Sequence, residues 1–184
     1  VKAKGSFLDN KRVIVTAAPH QSGKDEYLMI LMILALDIDV CYLSAKWTMR
    51  RIPIPFVKPK DIDNQGIPWP LGWLQEIVFR KFGAIPVDRK GNSGQYDSVV
   101  QELLKRDSFL LIITPEGRFN ATRFRSSFLY LAKELEAEVM PVQIDYEHGT
   151  LQFLESLNLD GSEEEVIQRL RSCFDGIKGR KSRF

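Results

Sequence analysis

His20 and Asp25 are the residues whose types and spacing fit them for chemistry. They stand five positions apart in VIVTAAPHQSGKD, residues 13–25. The stretch opens as an apolar run rich in β-branched residues, which favours a strand. It breaks at Pro19-His20 and resumes as an apolar segment of helical length over 26–36. Five residues along a regular helix turn through about 140°, so the two side chains cannot share a helix face. They meet only if His20 lies in the loop ahead of the helix. Ser22-Gly23-Lys24-Asp25 allows this, because it has the form of a capping box with Ser22 as N-cap and Asp25 in the first turn. The His20 ring can then fold back onto the Asp25 carboxylate. Such a carboxylate fixes the tautomer and leaves the second ring nitrogen as a general base.

Two other readings fit the same residues. Ala18 to Lys24, APHQSGK, matches a relaxed nucleotide-binding loop in which Gly23-Lys24 would hold phosphate. Against it, Asp25 stands where Ser or Thr should hold magnesium. Pro19 also removes an N–H from a loop that works by donating such groups. The remaining reading is a helix cap beside a loop histidine with no chemistry. An H-x4-D pair alone does not separate the three.

The chain has 184 residues, of which 44% are hydrophobic and 27% charged. That is enough for one domain with a real core and too little for two. A formal charge of +2 does not suggest nucleic acid as a partner. With two histidines, and with Cys41 and Cys173 far apart, no metal-site spacing exists, and no metal is expected. A reduced, cytoplasmic-side protein is the simplest expectation. The longest apolar run, 28–36, has the length of a buried helix rather than a membrane span.

The elements that must position the pair follow in order. Strands are expected at Arg12–Ala18, 40–44, Ala84–Val87, Phe109–Ile113 and Glu138–Asp145, with a last one over 149–154 that pairs in a hairpin. Helices are expected over 22–37, 71–82, 95–106 and 124–136. A further one opens at the capping box Ser162-Glu-Glu-Glu165 and runs to about Phe174. Gly83 is placed to close the helix over 71–82. Pro141 inside an apolar strand pattern marks an edge, a bulge or a strand end. Alternation of strands and helices predicts an α/β fold, a mainly parallel central sheet with helices on both faces.

Residues 46–70 carry five prolines and read as irregular. They mix cations with aromatic and aliphatic residues, Trp47, Phe56 and Trp69 among them. Interfacial membrane binding uses that mixture; a long loop folded back on the core uses it equally. Residues 176–184 form a basic tail.

Three expected strands thus end in polar clusters: His20/Asp25, Asp88/Arg89 and Glu116-Gly117-Arg118. Strand ends on one side of a parallel sheet converge, so one pocket can hold all three. A His/Asp base beside two arginines suits a substrate with a hydroxyl to activate and a phosphate to hold.

In order, PHQSGKD, PLGWL…FGAIPVDR, TPEGR and VMPVQI resemble the four motif blocks of the glycerolipid acyltransferases, the 1-acylglycerol-3-phosphate acyltransferase (PlsC-like) family. The resemblance covers roughly 12–146 of a single acyltransferase domain spanning 1–184, followed by a C-terminal helix at 162–175. It implies His20 as the base of the HX4D motif and Asp25 as the carboxylate that orients it. It implies Arg89 as the residue for the acceptor phosphate, and Glu116, Gly117 and Arg118 as further acceptor-site residues. Pro141 corresponds to the fourth block, linked to the acyl-donor side or the shape of the tunnel. The family turn E-G-T-R is here Glu116-Gly117-Arg118-Phe119, a departure for which Arg123 and Arg125 can compensate.

The resemblance further implies transfer of a fatty acyl group from acyl-CoA or acyl-acyl carrier protein to a hydroxyl of a glycerol-phosphate or lysophospholipid acceptor. It implies no cofactor, and a peripheral position on the inner face of the membrane, for which attachment through 46–73, with Trp69 and Trp73, and through the basic tail is the expectation. A non-catalytic lipid-binding module on the same scaffold is the alternative that the altered turn favours.

Overall fold

The structure, a computed structural model, describes residues 11–20, 40–52, 67–87, 94–117 and 123–179. The expected helix over 22–37 lies outside these residues.

A six-stranded sheet organises the described chain. Its strands are β1 (Arg12–Ala18), β2 (Val40–Ala45), β5 (Ala84–Val87), β6 (Phe109–Ile113), β7 (Glu138–Asp145) and β8 (Thr150–Phe153). Their order across the sheet is β5-β2-β6-β1-β7-β8. The first five run parallel, and β8 returns antiparallel on β7 as a hairpin. β1 is central, with Val15 opposite Ile112 on one side and Met140 on the other. A parallel strand buried on both faces needs apolar residues on both, and β1 is buried from Val13 to Ala18.

Alternation divides the core between the two faces of the sheet. Ile14, Leu111 and Val139 pack into one layer with Val100 and Leu103 of α2 (Gly94–Leu104), Phe128 and Leu131 of α3 (Ser127–Leu135) and Leu170 of α4 (Glu163–Ser172). Val13, Val15, Leu110, Ile112 and Val142 form the opposite layer, with Tyr42, Leu151 and Phe153 packed against it. At the lower end of the sheet the Arg12 guanidinium donates to the carbonyls of Leu135 and Arg106. One cation thus serves carbonyls at the ends of α3 and α2, where helices leave acceptors without partners. At α4 both halves of the capping box form: Ser162 N–H donates to Glu165 Oε2 at 2.7 Å, and Glu165 N–H donates to Ser162 Oγ.

Two expectations change. The described part of 46–70 is partly regular: a 3-10 turn at Lys46–Met49 leads into β3 (Arg51–Ile52), which pairs antiparallel with β4 (Ile67–Pro68). Pro141 lies within β7, opposite Thr16 of the central strand and not at a strand end, at a level where β7 is in ladder register on its β1 side alone. The reason is directional. In a strand the N–H and C=O of one residue point to the same side. The Pro141 carbonyl accepts from Leu154 N–H, so its missing N–H also faces the β8 side. The β8 ladder begins only at Val142, so no ladder bond to β1 is lost.

Helix α1 (Gly72–Lys81) precedes β5. Gly83 follows at φ 81°. A Cβ there would stand 1.9 Å from the Val40 carbonyl oxygen, and the Gly83 carbonyl accepts from Tyr42 N–H. Only glycine makes this turn and still lets β5 approach β2 so closely.

Candidate active site

The parallel register brings the upper ends of β1 and β6 side by side. Thr16 stands opposite Ile113. The next few residues of each chain, Pro19-His20 and Thr114-Pro115-Glu116-Gly117, leave the sheet at the same edge. There the His20 main-chain N–H donates to Glu116 Oε2 at 2.7 Å, across 96 positions of sequence. Both residues are buried, His20 8% and Glu116 7% exposed. A hydrogen bond from a backbone amide to a carboxylate is among the stronger kinds. Removing either partner inside a buried site would take a charge-assisted bond from the other. Glu116 therefore holds the backbone that presents the histidine.

The turn that delivers Glu116 is closed by Gly117 N–H donating to the Thr114 carbonyl at 2.9 Å. Gly117 has φ 65°. A Cβ on it would come within 2.9 Å of Arg125 Nε. The chain returning at Arg125 is pinned to the same turn, its N–H donating to the Pro115 carbonyl at 2.8 Å. So the Arg125 side chain lies across the bare Cα of Gly117, and its exposed guanidinium stands beside the Glu116 turn.

Of the residues singled out in the sequence, His20, Glu116 and Gly117 come together. Asp25, Arg89 and Arg118 lie outside the described residues, as does the Gly23-Lys24 of the nucleotide-binding alternative. Arg89 follows β5 by two positions and Arg118 follows Gly117 directly. Pro141 sits lower, beside Thr16 rather than at the edge with His20.

Two features escape the sequence reading. The Thr16 hydroxyl is fully buried and has no hydrogen-bond partner among the described residues, at the level of Pro141 and below the His20 loop. The end of β7 carries a second His/Asp pair. His148 Nδ1 stands 2.7 Å from Asp145 Oδ2, while Asp145 Oδ1 accepts from the N–H groups of Glu147 and His148. The bond to Asp145 raises the His148 pKa above its usual value, and the same bond lowers that of Asp145. His148 is 69% exposed on a hairpin turn. This pair organises a turn in water, whereas His20 is enclosed.

The described edge joins a buried histidine, a buried carboxylate that fixes its backbone, and an exposed guanidinium. Such a set can take a proton from a hydroxyl and hold an anionic neighbour of that hydroxyl. Residues 69–145 match the family model described as Acyltransferase. No curated protein and no solved structure matches the chain significantly. The matched segment includes Glu116, Gly117, Arg125 and Pro141 but begins after His20. The bond from His20 to Glu116 ties the strand end outside the match to the turn within it.

Proposed function

We propose a specific reaction, which the match of residues 69–145 to the Acyltransferase family model supports in its general class. The chain moves a fatty acyl group from a thioester donor, acyl-CoA or acyl-acyl carrier protein, to a hydroxyl of a phosphorylated glycerol or a lysophospholipid. The single observation that carries this is the bond between His20 N–H and Glu116 Oε2. It brings His20 and the Glu116 turn to one sheet edge, which supports reading the first as the base and the second as part of the acceptor site.

In this reaction the free nitrogen of the His20 imidazole takes the hydroxyl proton, with Asp25 on the other nitrogen. The oxygen attacks the thioester carbonyl carbon. A tetrahedral oxyanion forms and collapses; the new C–O ester bond remains, and the C–S bond breaks. The thiolate takes the proton back from the imidazolium. Attack is direct, so no acyl-enzyme is formed and no metal or cofactor is used. Arg89, Arg118 and Arg125 serve the acceptor phosphate in this proposal, and Pro141 serves the acyl side. Protein and reaction belong on the cytoplasmic face of a membrane, where acceptor and product reside.

Arg125 separates this reading from its alternatives. Arg125→Ala should raise the acceptor KM about tenfold or more, the value of one charge-assisted hydrogen bond. The donor KM should stay unchanged. Steady-state kinetics with a phosphorylated and a non-phosphorylated acceptor read this out. A loss confined to the donor would remove Arg125 from the acceptor site. A non-catalytic lipid-binding module would release no thiol with any acceptor.

A further inference from the structure

Helix α1 is built inside out. At 100° per residue, Trp73, Ile77, Leu74 and Val78 fall on an arc of about 140°, and all four are exposed, Trp73 at 57% and Ile77 at 54%. The opposite side carries Gly72, Gln75, Glu76 and Phe79, buried or half-buried. The polar groups there are satisfied from within. Gln75 accepts from Trp69 Nε1 and donates to the Arg51 carbonyl; Glu76 pairs with Arg50 and Arg80. The helix is thus anchored by its polar side and presents its apolar side outward. Ile52 and Ile67 of the adjacent β3–β4 pair are exposed as well, at 49% and 56%.

We infer that this face seats in the interface of an anionic lipid bilayer. Charge favours that occupant. Across residues 46–52 and 67–87 stand five cations, Lys46, Arg50, Arg51, Arg80 and Lys81, and one carboxylate, Glu76. A two-fold contact with a second copy would press this cationic rim against itself. Anionic headgroups complement it, and a tryptophan beside basic residues suits the headgroup level. With 10 residues α1 is too short to cross a bilayer, so its contact is one that lies on the surface.

The position of the helix gives the contact a purpose. The first turn of α1 is pressed against the chain that leaves the upper end of β2: a Cβ on Gly72 would meet the Arg50 carbonyl oxygen at 2.5 Å. That is the sheet edge bearing His20 and Glu116. A bilayer under α1 therefore presents its lipids to that edge. This inference rests on the lipid-directed reaction proposed above for its purpose, but not for its test.

Flotation tests it, with vesicles of phosphatidylcholine and phosphatidylglycerol and with vesicles of phosphatidylcholine alone. Wild type should float with the anionic vesicles, more weakly at high salt. Trp73→Ser/Ile77→Ser should lower the partition coefficient about tenfold or more while keeping the wild-type melting temperature. Lys81→Glu should weaken only the binding that depends on phosphatidylglycerol. Unchanged flotation of the double variant would overturn the inference. So would its conversion of a dimer to a monomer in sedimentation with flotation intact, which would assign the face to a second copy. Binding requires no turnover, so flotation by a catalytically silent protein would leave this inference standing and remove the reaction. Turnover without flotation would do the reverse.

Discussion

His20 depends on a bond that residue identities do not spell out. The H-x4-D spacing and the position of His20 just past an apolar strand picked out the histidine, and P-E-G picked out Glu116. Their convergence followed from the strand ends, but the bond between them was not legible, because the donor is a main-chain N–H that every residue but proline owns. The register of β1 on β6 creates it. Thr16 was silent: a threonine in a β-branched run reads as strand, and only the packed sheet shows its hydroxyl buried without a partner among the described residues. Thr16→Val removes that hydroxyl at similar volume. It should stabilise the protein by about 1 kcal/mol, seen as a higher denaturant midpoint; a lower midpoint would mean that the hydroxyl serves a group in the site. The Asp145–His148 pair has a defined pH signature. His148 is raised, so its contribution is fully present below the ordinary imidazole pKa and is lost as pH rises through the raised value. Asp145 is lowered, so its contribution is present above the ordinary carboxylate pKa and is lost as pH falls through the lowered value. The pair is intact between those two limits. An NMR titration should place His148 above 6.5 in wild type and lower it in Asp145→Asn; an unmoved midpoint would deny the pairing.

Among the elements, periodicity located every described strand of the main sheet and all four described helices to within a few residues. It failed where length or direction decides. Two-residue strands such as β3 and β4 have no period to read. Pro141 is tolerated because its missing N–H faces β8, and the side a missing donor faces is a property of the sheet. The helix ends yield opposite predictions. Gly83→Ala adds a left-handed penalty of about 1–2 kcal/mol to a clash with the Val40 carbonyl, so about 3 kcal/mol of stability should be lost. Glu136 occupies the left-handed position closing α3, with φ 49°. Glu136→Gly should therefore gain up to about 1 kcal/mol. Urea melts of the two variants shifting in the same direction would contradict this account of the helix ends.

For the whole molecule, the α/β class followed from alternating elements, and the parallel sheet in the order β5-β2-β6-β1-β7-β8 agrees with it. The order itself was beyond reach, because nothing local dictates that β6 inserts between β2 and β1. That insertion puts the Glu116 turn beside His20 and joins the family-matched segment to the strand before it. The outward face of α1 was hardly legible. The mixture of cations and aromatics flagged the chain leading into α1, and a helix period does not say which side is inward when the inner side is satisfied by Gln75 and Glu76.

The central claim is that His20 is the base of an acyl transfer, and the chain offers its own control, since His148 is its only other histidine. Thiol release from palmitoyl-CoA, and from the same acyl group on acyl carrier protein, would be followed for wild type, His20→Ala and His148→Ala. The acceptors would be glycerol-3-phosphate, lysophosphatidate, other lysophospholipids and a non-phosphorylated alcohol. Acceptor-dependent release should fall by about 10²–10⁴-fold in His20→Ala, the range for removal of a general base, and remain at the wild-type rate in His148→Ala. A folded His20→Ala protein that releases thiol at the wild-type rate would contradict the account.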